Sequence, residues 1–268
     1  MDAAKIIQDS SGDYLAVYHT IRGDGQFHAI LGSSTDLMNW SFIRDFGPGS
    51  SQPTIAQSSD GGYVLAWEQD PSNHVAVRYF ATRSHLFAGS EDRSFDSTRT
   101  QSKCAEGTPN IYDVQLNPDI DHSTILLGAH YFSNCDVDRQ MTASLVNFKT
   151  WTASADHTFD NSLLYWGVKG NIGDRDAVKF KGFKYGLLEG QYVKNDFGSW
   201  RTFIYDYATL NADRMSIRTA GGSTAFANPT ITNLRTPDGR NAILITLFLP
   251  SEGAAPGESG EMIYYRTY

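Results

Sequence analysis

Three acidic residues open apolar stretches of the chain in a similar way. Asp2 begins Asp2-Ala3-Ala4-Lys5-Ile6, Asp176 begins Asp176-Ala177-Val178-Lys179-Phe180, and Glu106 begins Glu106-Gly107-Thr108-Pro109-Asn110. Hydrolysis of a glycosidic bond uses one carboxylic acid to protonate the leaving oxygen and a second carboxylate to activate water or attack the sugar. A third can tune the acid's pKa. Asp2, Glu106 and Asp176 are therefore the candidate catalytic residues, provided the fold brings them to one place.

The repeat pattern says how it would. Segments 3–20, 51–69, 107–132, 175–191 and 227–250 each read as an apolar strand, a turn and a second apolar strand. Aligned on Ala3, Pro53, Pro109, Ala177 and Pro229, they recur at spacings of 50, 56, 68 and 52 residues, the length of one four-stranded sheet. The pattern predicts an all-β, five-bladed β-propeller in one domain, with blades at approximately 1–49, 50–103, 104–173, 174–225 and 226–268. Asp60-Gly61-Gly62, Asp238-Gly239 and Ser11-Gly12 supply the hairpin turns, because Gly and Asp tolerate the φ that tight reversals demand. Residues 34–40 and 144–151 end in Trp40 and Trp151, which are expected to pack between blades. After Pro229 only three strand-like pieces remain, so the last blade is expected to have three strands.

In a propeller the first strand of each blade lines the central channel, and a hairpin returns the end of its second strand to the same mouth. The openings then present Asp2, Gln52, Glu106, Asp176 and Asn228, and the second-strand ends present His19, Glu68, His130 and Glu189. So many polar groups at one narrow channel are costly unless they serve a ligand. His19, Gln52, Glu68, His130, Arg175, Glu189 and Asn228 are accordingly candidate substrate-binding residues. Trp67, Trp166 and Trp200 are candidate ring platforms for a sugar.

Composition narrows the partners. A net charge of −8 offers no basic stripe for a phosphate backbone, which argues against nucleic acid, and no apolar run is long enough to span a bilayer as a helix. The expected partner is a glycan, met by a monomer. The two cysteines, Cys104 and Cys135, could form one disulfide, and with the sequon Asn39-Trp40-Ser41 they point to a secreted protein. The first residues lack the apolar core of a signal peptide, so a secreted form would have had its signal removed. No cofactor and no metal ligand set is expected, although channel carboxylates could hold a structural calcium.

On these motifs the chain resembles the five-bladed propeller glycoside hydrolases that include arabinanases, β-xylosidases and α-arabinofuranosidases, and the related fructan hydrolases. The resemblance implies a glycoside hydrolase with Asp2 as general base, Asp176 as the pKa-tuning residue and Glu106, in residues 106–112, as general acid; with the Glu106 and Asp2 carboxyls about 6.5–9.5 Å apart, such a pair would invert the anomeric configuration. Residues 34–40 are similar to the recurrent Ser-x-Asp-Leu-x-x-Trp segment of the first blade. Arg175-Asp176 is similar to the Arg-Asp-Pro motif of fructan hydrolases, with Ala177 in place of Pro. Ala3 and Gln52 also depart from the family pattern, and Asp176 follows Glu106 where the family order is the reverse. Two other classes fit a polar channel: a polysaccharide lyase using His19 or His130 with Arg175, and a lectin that binds without turnover.

Overall fold

The chain reverses where its glycines allow it. Gly12, Gly61, Gly182 and Gly239 close the first hairpin of four blades at φ of 93°, 88°, 87° and 82°, a region that residues with a Cβ rarely occupy. The computed structural model describes residues 2–268 as five antiparallel sheets in which each strand pairs with its neighbour in sequence. Four sheets have four strands and the fifth has three. This is a five-bladed β-propeller. The first strands, Asp2–Gln8, Ser50–Gln57, Glu106–Leu116, Ile172–Phe180 and Ala227–Arg235, contact one another around the ring and line the channel.

Apolar side chains between the sheets hold the blades together. Val64, Val75 and Val77 of blade 2 pack against Ile125, Leu127 and Leu145 of blade 3, all buried, at about 1.5–3 kcal/mol for each large side chain removed from water. Trp40 packs, as expected, on the cluster shared by Ile6 and Leu234 of blades 1 and 5, with its indole nitrogen donating to the Leu37 carbonyl at 3.1 Å. Trp151 stacks on Phe95 of blade 2, ring centres 6.1 Å apart.

The ring closes without a shared sheet. Thr230 and Thr246 donate to the Ala4 carbonyl at 2.9 and 2.6 Å, and Thr232 donates to that of Ile6 at 2.7 Å. Lys5 adds an ion pair to Asp176 and hydrogen bonds to the Ile231 carbonyl and Thr232 at 3.1 and 3.0 Å. Side chains of the first two strands of blade 5 and of the inner strands of blades 1 and 4 thus do what a shared strand would otherwise do. Cys104 and Cys135 are bonded, with Cα atoms 5.7 Å apart, and tie the loop before the third blade to its second hairpin.

All five inner strands carry the same irregularity. Between Asp2 and Lys5, Ser51 and Thr54, Gly107 and Asn110, Gly173 and Asp176, and Ala227 and Thr230, three residues oppose a two-residue advance on the partner strand. This bulge defines equivalence better than local spelling does. Ala4, Pro53, Pro109, Arg175 and Pro229 are the matched positions, so the alignment on Ala3 and Ala177 is out by one and by two residues. The likeness of Asp2-Ala3-Ala4-Lys5 to Asp176-Ala177-Val178-Lys179 is a coincidence of spelling: Asp176 occupies the place of Lys5, and Gly173 that of Asp2.

Candidate active site at the channel mouth

The bulge is what builds the site. Ala3, Gln52, Thr108 and Asn228 take φ of 53°, 51°, 50° and 46°, a strained conformation for residues with a Cβ. At two of these positions the turned-out N–H meets a side chain from the end of the preceding blade's second strand. Gln52 N–H donates to His19 Nδ1 at 2.8 Å, and Asn228 N–H donates to Glu189 Oε2 at 2.6 Å. Elsewhere the inner strand makes room. A Cβ on Gly107 would lie 2.1 Å from the Glu68 carboxylate, and one on Gly173 would lie 1.8 Å from the His130 ring. Each second-strand end therefore leans over the start of the next blade, which accounts for glycine at these two positions.

The result is a cavity of about 430 Å³ at the mouth of the channel, within the range of small-ligand sites. Asp2, His19, Gln52, Glu68, His130, Glu189 and Asn228, seven of the expected site residues, line it. Arg175 lies beneath them, buried, donating to Gln52 Oε1 at 2.7 Å and placing its Nε 3.8 Å from Glu189. Trp200 and the exposed Phe197 form part of the rim.

The structure does not bring Glu106 and Asp176 to this cavity. Glu106 is fully buried, and its Oε1 accepts backbone N–H bonds from Thr100, Gln101 and Ser102, the first and last at 2.6 and 2.9 Å. It points back into the loop closed by the disulfide because it stands one residue before the channel-facing position, which is Gly107. Asp176 lies deeper in the channel, buried against Lys5, and accepts the Ile231 N–H at 2.8 Å. Neither carboxylate lines the cavity. Of the tryptophans, Trp67 is buried against Phe46 and Trp166 borders a different cavity.

Asp138 lines the cavity instead, at the start of the third strand of blade 3. The mouth receives strand starts as well as strand ends, so the hairpin logic that found His130 also finds Asp138, opposite Phe132 on the second strand. Its backbone N–H is held by Asn171 Oδ1 at 3.0 Å, and the following Arg139 ties the hairpin to the Gly170 carbonyl at 2.7 Å.

The electrostatics split the carboxyls. Burial, then the negative charges of Glu68 and Glu189, push Asp138 up to about 7 against the opposing pull of Arg139 and Arg175. Burial would raise Asp2 too, but hydrogen bonds from His19 and Asn228 and the charge of Arg175 outweigh it and hold Asp2 below its ordinary value. His19 Nδ1 accepts from Gln52, so the neutral ring carries its proton on Nε2, 3.2 Å from Asp2 Oδ2, while Asn228 Nδ2 donates to Oδ1 at 3.0 Å. Burial and the charge of Asp2 raise Glu261, on the last strand, to about 8. Among the described residues, no three His, Cys, Asp or Glu side chains are grouped so as to hold a metal ion.

No family model matches the chain, and no curated protein matches it. Solved structures do. An exo-1,5-α-L-arabinanase from a bovine ruminal metagenomic library aligns over 99% of this chain and 92% of its own, at 11% identity and a TM-score of 0.59. The chain shares its five-bladed fold. An α-L-arabinanase of Cellvibrio cellulosa complexed with arabinohexaose aligns over 98% and 90%, at 10% identity and a TM-score of 0.61. A thermostable family-43 glycoside hydrolase aligns over 99% and 88%, at 8% identity and a TM-score of 0.60.

Proposed function

We propose that this chain is a glycoside hydrolase in which Asp138 is the general acid and Asp2 the general base. One observation carries the reading: two carboxyls of one cavity have their pKa values moved in opposite directions, which is how a site keeps an acid and a base ready at one pH. The fold shared with arabinanases and a family-43 enzyme supports the same reaction class.

Asp138 gives its proton to the glycosidic oxygen as the bond from that oxygen to the anomeric carbon breaks. Asp2 takes a proton from a water whose oxygen bonds to the same carbon, so the sum is hydrolysis with both carboxyls reset through solvent. His19 and Asn228 occupy both Asp2 oxygens and orient the carboxylate. Glu68 and Glu189 keep Asp138 protonated and offer acceptors to sugar hydroxyls. Asp2 and Asp138 stand on the first and third blades and line one cavity; inversion requires their carboxyls to lie about 6.5–9.5 Å apart, which leaves room for the attacking water. The substrate is a plant or microbial polysaccharide or oligosaccharide, and the enzyme a secreted monomer. The disulfide supports passage through an oxidising compartment.

The test begins with reducing-sugar release from arabinan, xylan, fructan, galactan and plant gums. On the substrate cleaved, Asp138→Asn should lose most of its turnover but recover it on an aryl glycoside whose leaving group needs no protonation. Failure of that recovery removes Asp138 as the acid, and proton NMR showing a retained anomeric configuration removes the water-activating role of Asp2. A lectin would cleave none of the panel, and a lyase would release unsaturated, ultraviolet-absorbing ends.

A further inference from the structure

Outward of the channel mouth, on the flank of blade 4, lies a second cavity of about 540 Å³ bordered by Trp166, Arg201, Thr202, Arg214, Ser216 and Phe226. Backbone connects the two: Trp200 is on the rim of the first, Arg201 borders the second, and the Phe226 N–H donates to the Trp200 carbonyl at 3.2 Å. Among the described residues, the second cavity is bordered by two arginines and by no acidic side chain. Neither Arg201 nor Arg214 forms an ion pair among the described residues. Arg201 uses Nη1 to bond the Gly198 and Trp200 carbonyls at 2.9 and 2.8 Å, which leaves its other donors free of those two contacts. Burial and then the charge of Arg214 lower the Arg201 pKa against the opposing pull of Tyr192 and Asp196, the direction expected of two cations kept together with no salt bridge to either.

Trp166 supplies the other half of a sugar site. Its indole nitrogen is fixed on the Ala212 carbonyl at 2.6 Å while 36% of the residue remains exposed. An anchored, half-open indole beside two arginines without a salt bridge suits a pyranose ring that bears a carboxylate, with the ring against the indole and the carboxylate on the guanidinium groups.

We propose that this cavity binds a uronic acid residue of a glycan, at a site separate from the acid–base pair. The inference rests on the glycan reading of the protein but not on turnover. An acidic residue bound here, next to the central mouth, would make uronate-bearing polysaccharides the preferred substrate class.

Calorimetry with trigalacturonate, its methyl ester and a neutral arabino-oligosaccharide tests it at low and at physiological salt. Wild type should bind trigalacturonate, more weakly as salt rises, and should bind its methyl ester at least tenfold less well. Arg201→Gln and Arg214→Gln should each weaken trigalacturonate by roughly tenfold, the loss of one charge-assisted contact, while neutral-sugar binding stays unchanged. Binding is read here without turnover, which keeps this result distinct from the fate of the hydrolase reading. Arg214→Gln should also melt slightly higher than wild type without ligand, because it relieves the repulsion, whereas a structural arginine would melt lower. Equal binding of acid and ester, equal binding by wild type and both arginine variants, or no binding of trigalacturonate by wild type at low salt overturns the proposal.

Discussion

The two ends of the channel are made by the same five strands and treat charge in opposite ways. Deep in the channel, Lys5 meets Asp176, the Ile231 carbonyl and Thr232, and Asp176 also takes the N–H groups of Ile231 and Ala177. At the mouth, Asp2, Glu68, Asp138 and Glu189 share one cavity, with Arg175 buried beneath it. The first arrangement satisfies its ions mutually and holds blades 1, 4 and 5 together. The second leaves negative charge in excess: burial raises both Asp176 and Asp138, but Lys5 opposes the rise at Asp176, whereas Glu68 and Glu189 add to it at Asp138. Burial of an acid is therefore a poor guide to function on its own; whether its charge is balanced by the protein or left for a ligand separates the two ends.

The comparison predicts activity loss without unfolding at the mouth, and unfolding deep in the channel. The largest expected effect is on rate: Asp138→Asn and Asp2→Asn should each lower turnover by about 10²–10⁴-fold, measured as initial rates on the cleaved substrate, with an unchanged circular dichroism spectrum. Lys5→Met, which strands Asp176 without its partner, should cost about 3–5 kcal/mol and lower the melting temperature by on the order of 10 °C in calorimetry. If Lys5→Met melted like wild type, the deep pair would have no structural role. Removing both cysteines should cost about 3–4 kcal/mol, from a bridge spanning 31 residues, in urea denaturation. It should also reduce turnover, since the bridged hairpin precedes Asp138.

A smaller effect sharpens the contrast through pH. A carboxyl whose folded pKa lies above its unfolded value contributes stability below the unfolded pKa and loses it as pH rises through the folded one. For Asp138 that window runs from about 4, the ordinary carboxylate value, up to about 7. Asp138→Asn should therefore melt higher than wild type at pH 8, with the difference vanishing near pH 4, although it is one of the two least active variants. Equal melting at both values would mean that the mouth does not strain this group.

Much of this architecture was legible because it repeats. Five apolar hairpins with Gly or Asp turns dictate five blades, and the hairpin return identifies His19, Glu68, His130 and Glu189 as mouth residues before any coordinates. What the repeat could not supply was register. The bulge inserts one residue into every inner strand, so a likeness of four letters aligned Asp176 with Asp2 three residues away from its true counterpart, Gly173. Glu106 was misplaced by a single residue, enough to turn its carboxylate from the channel into the adjoining loop. Asp138 was overlooked because only the first two strands of each blade were followed to the mouth, whereas the third also starts there. The glycines held the missing signal: Gly107 and Gly173 mark where a neighbouring blade's side chain crosses the strand.

The central claim is that the mouth keeps Asp138 protonated while Asp2 is ionised. Titration of the aspartate side-chain carboxyls by carbon-13 NMR, with assignments from the two Asn variants, tests it without a substrate. The account predicts a midpoint near 7 for Asp138 and one below the ordinary carboxylate value for Asp2. Two midpoints together near 4, the value of an unperturbed carboxyl, would contradict it.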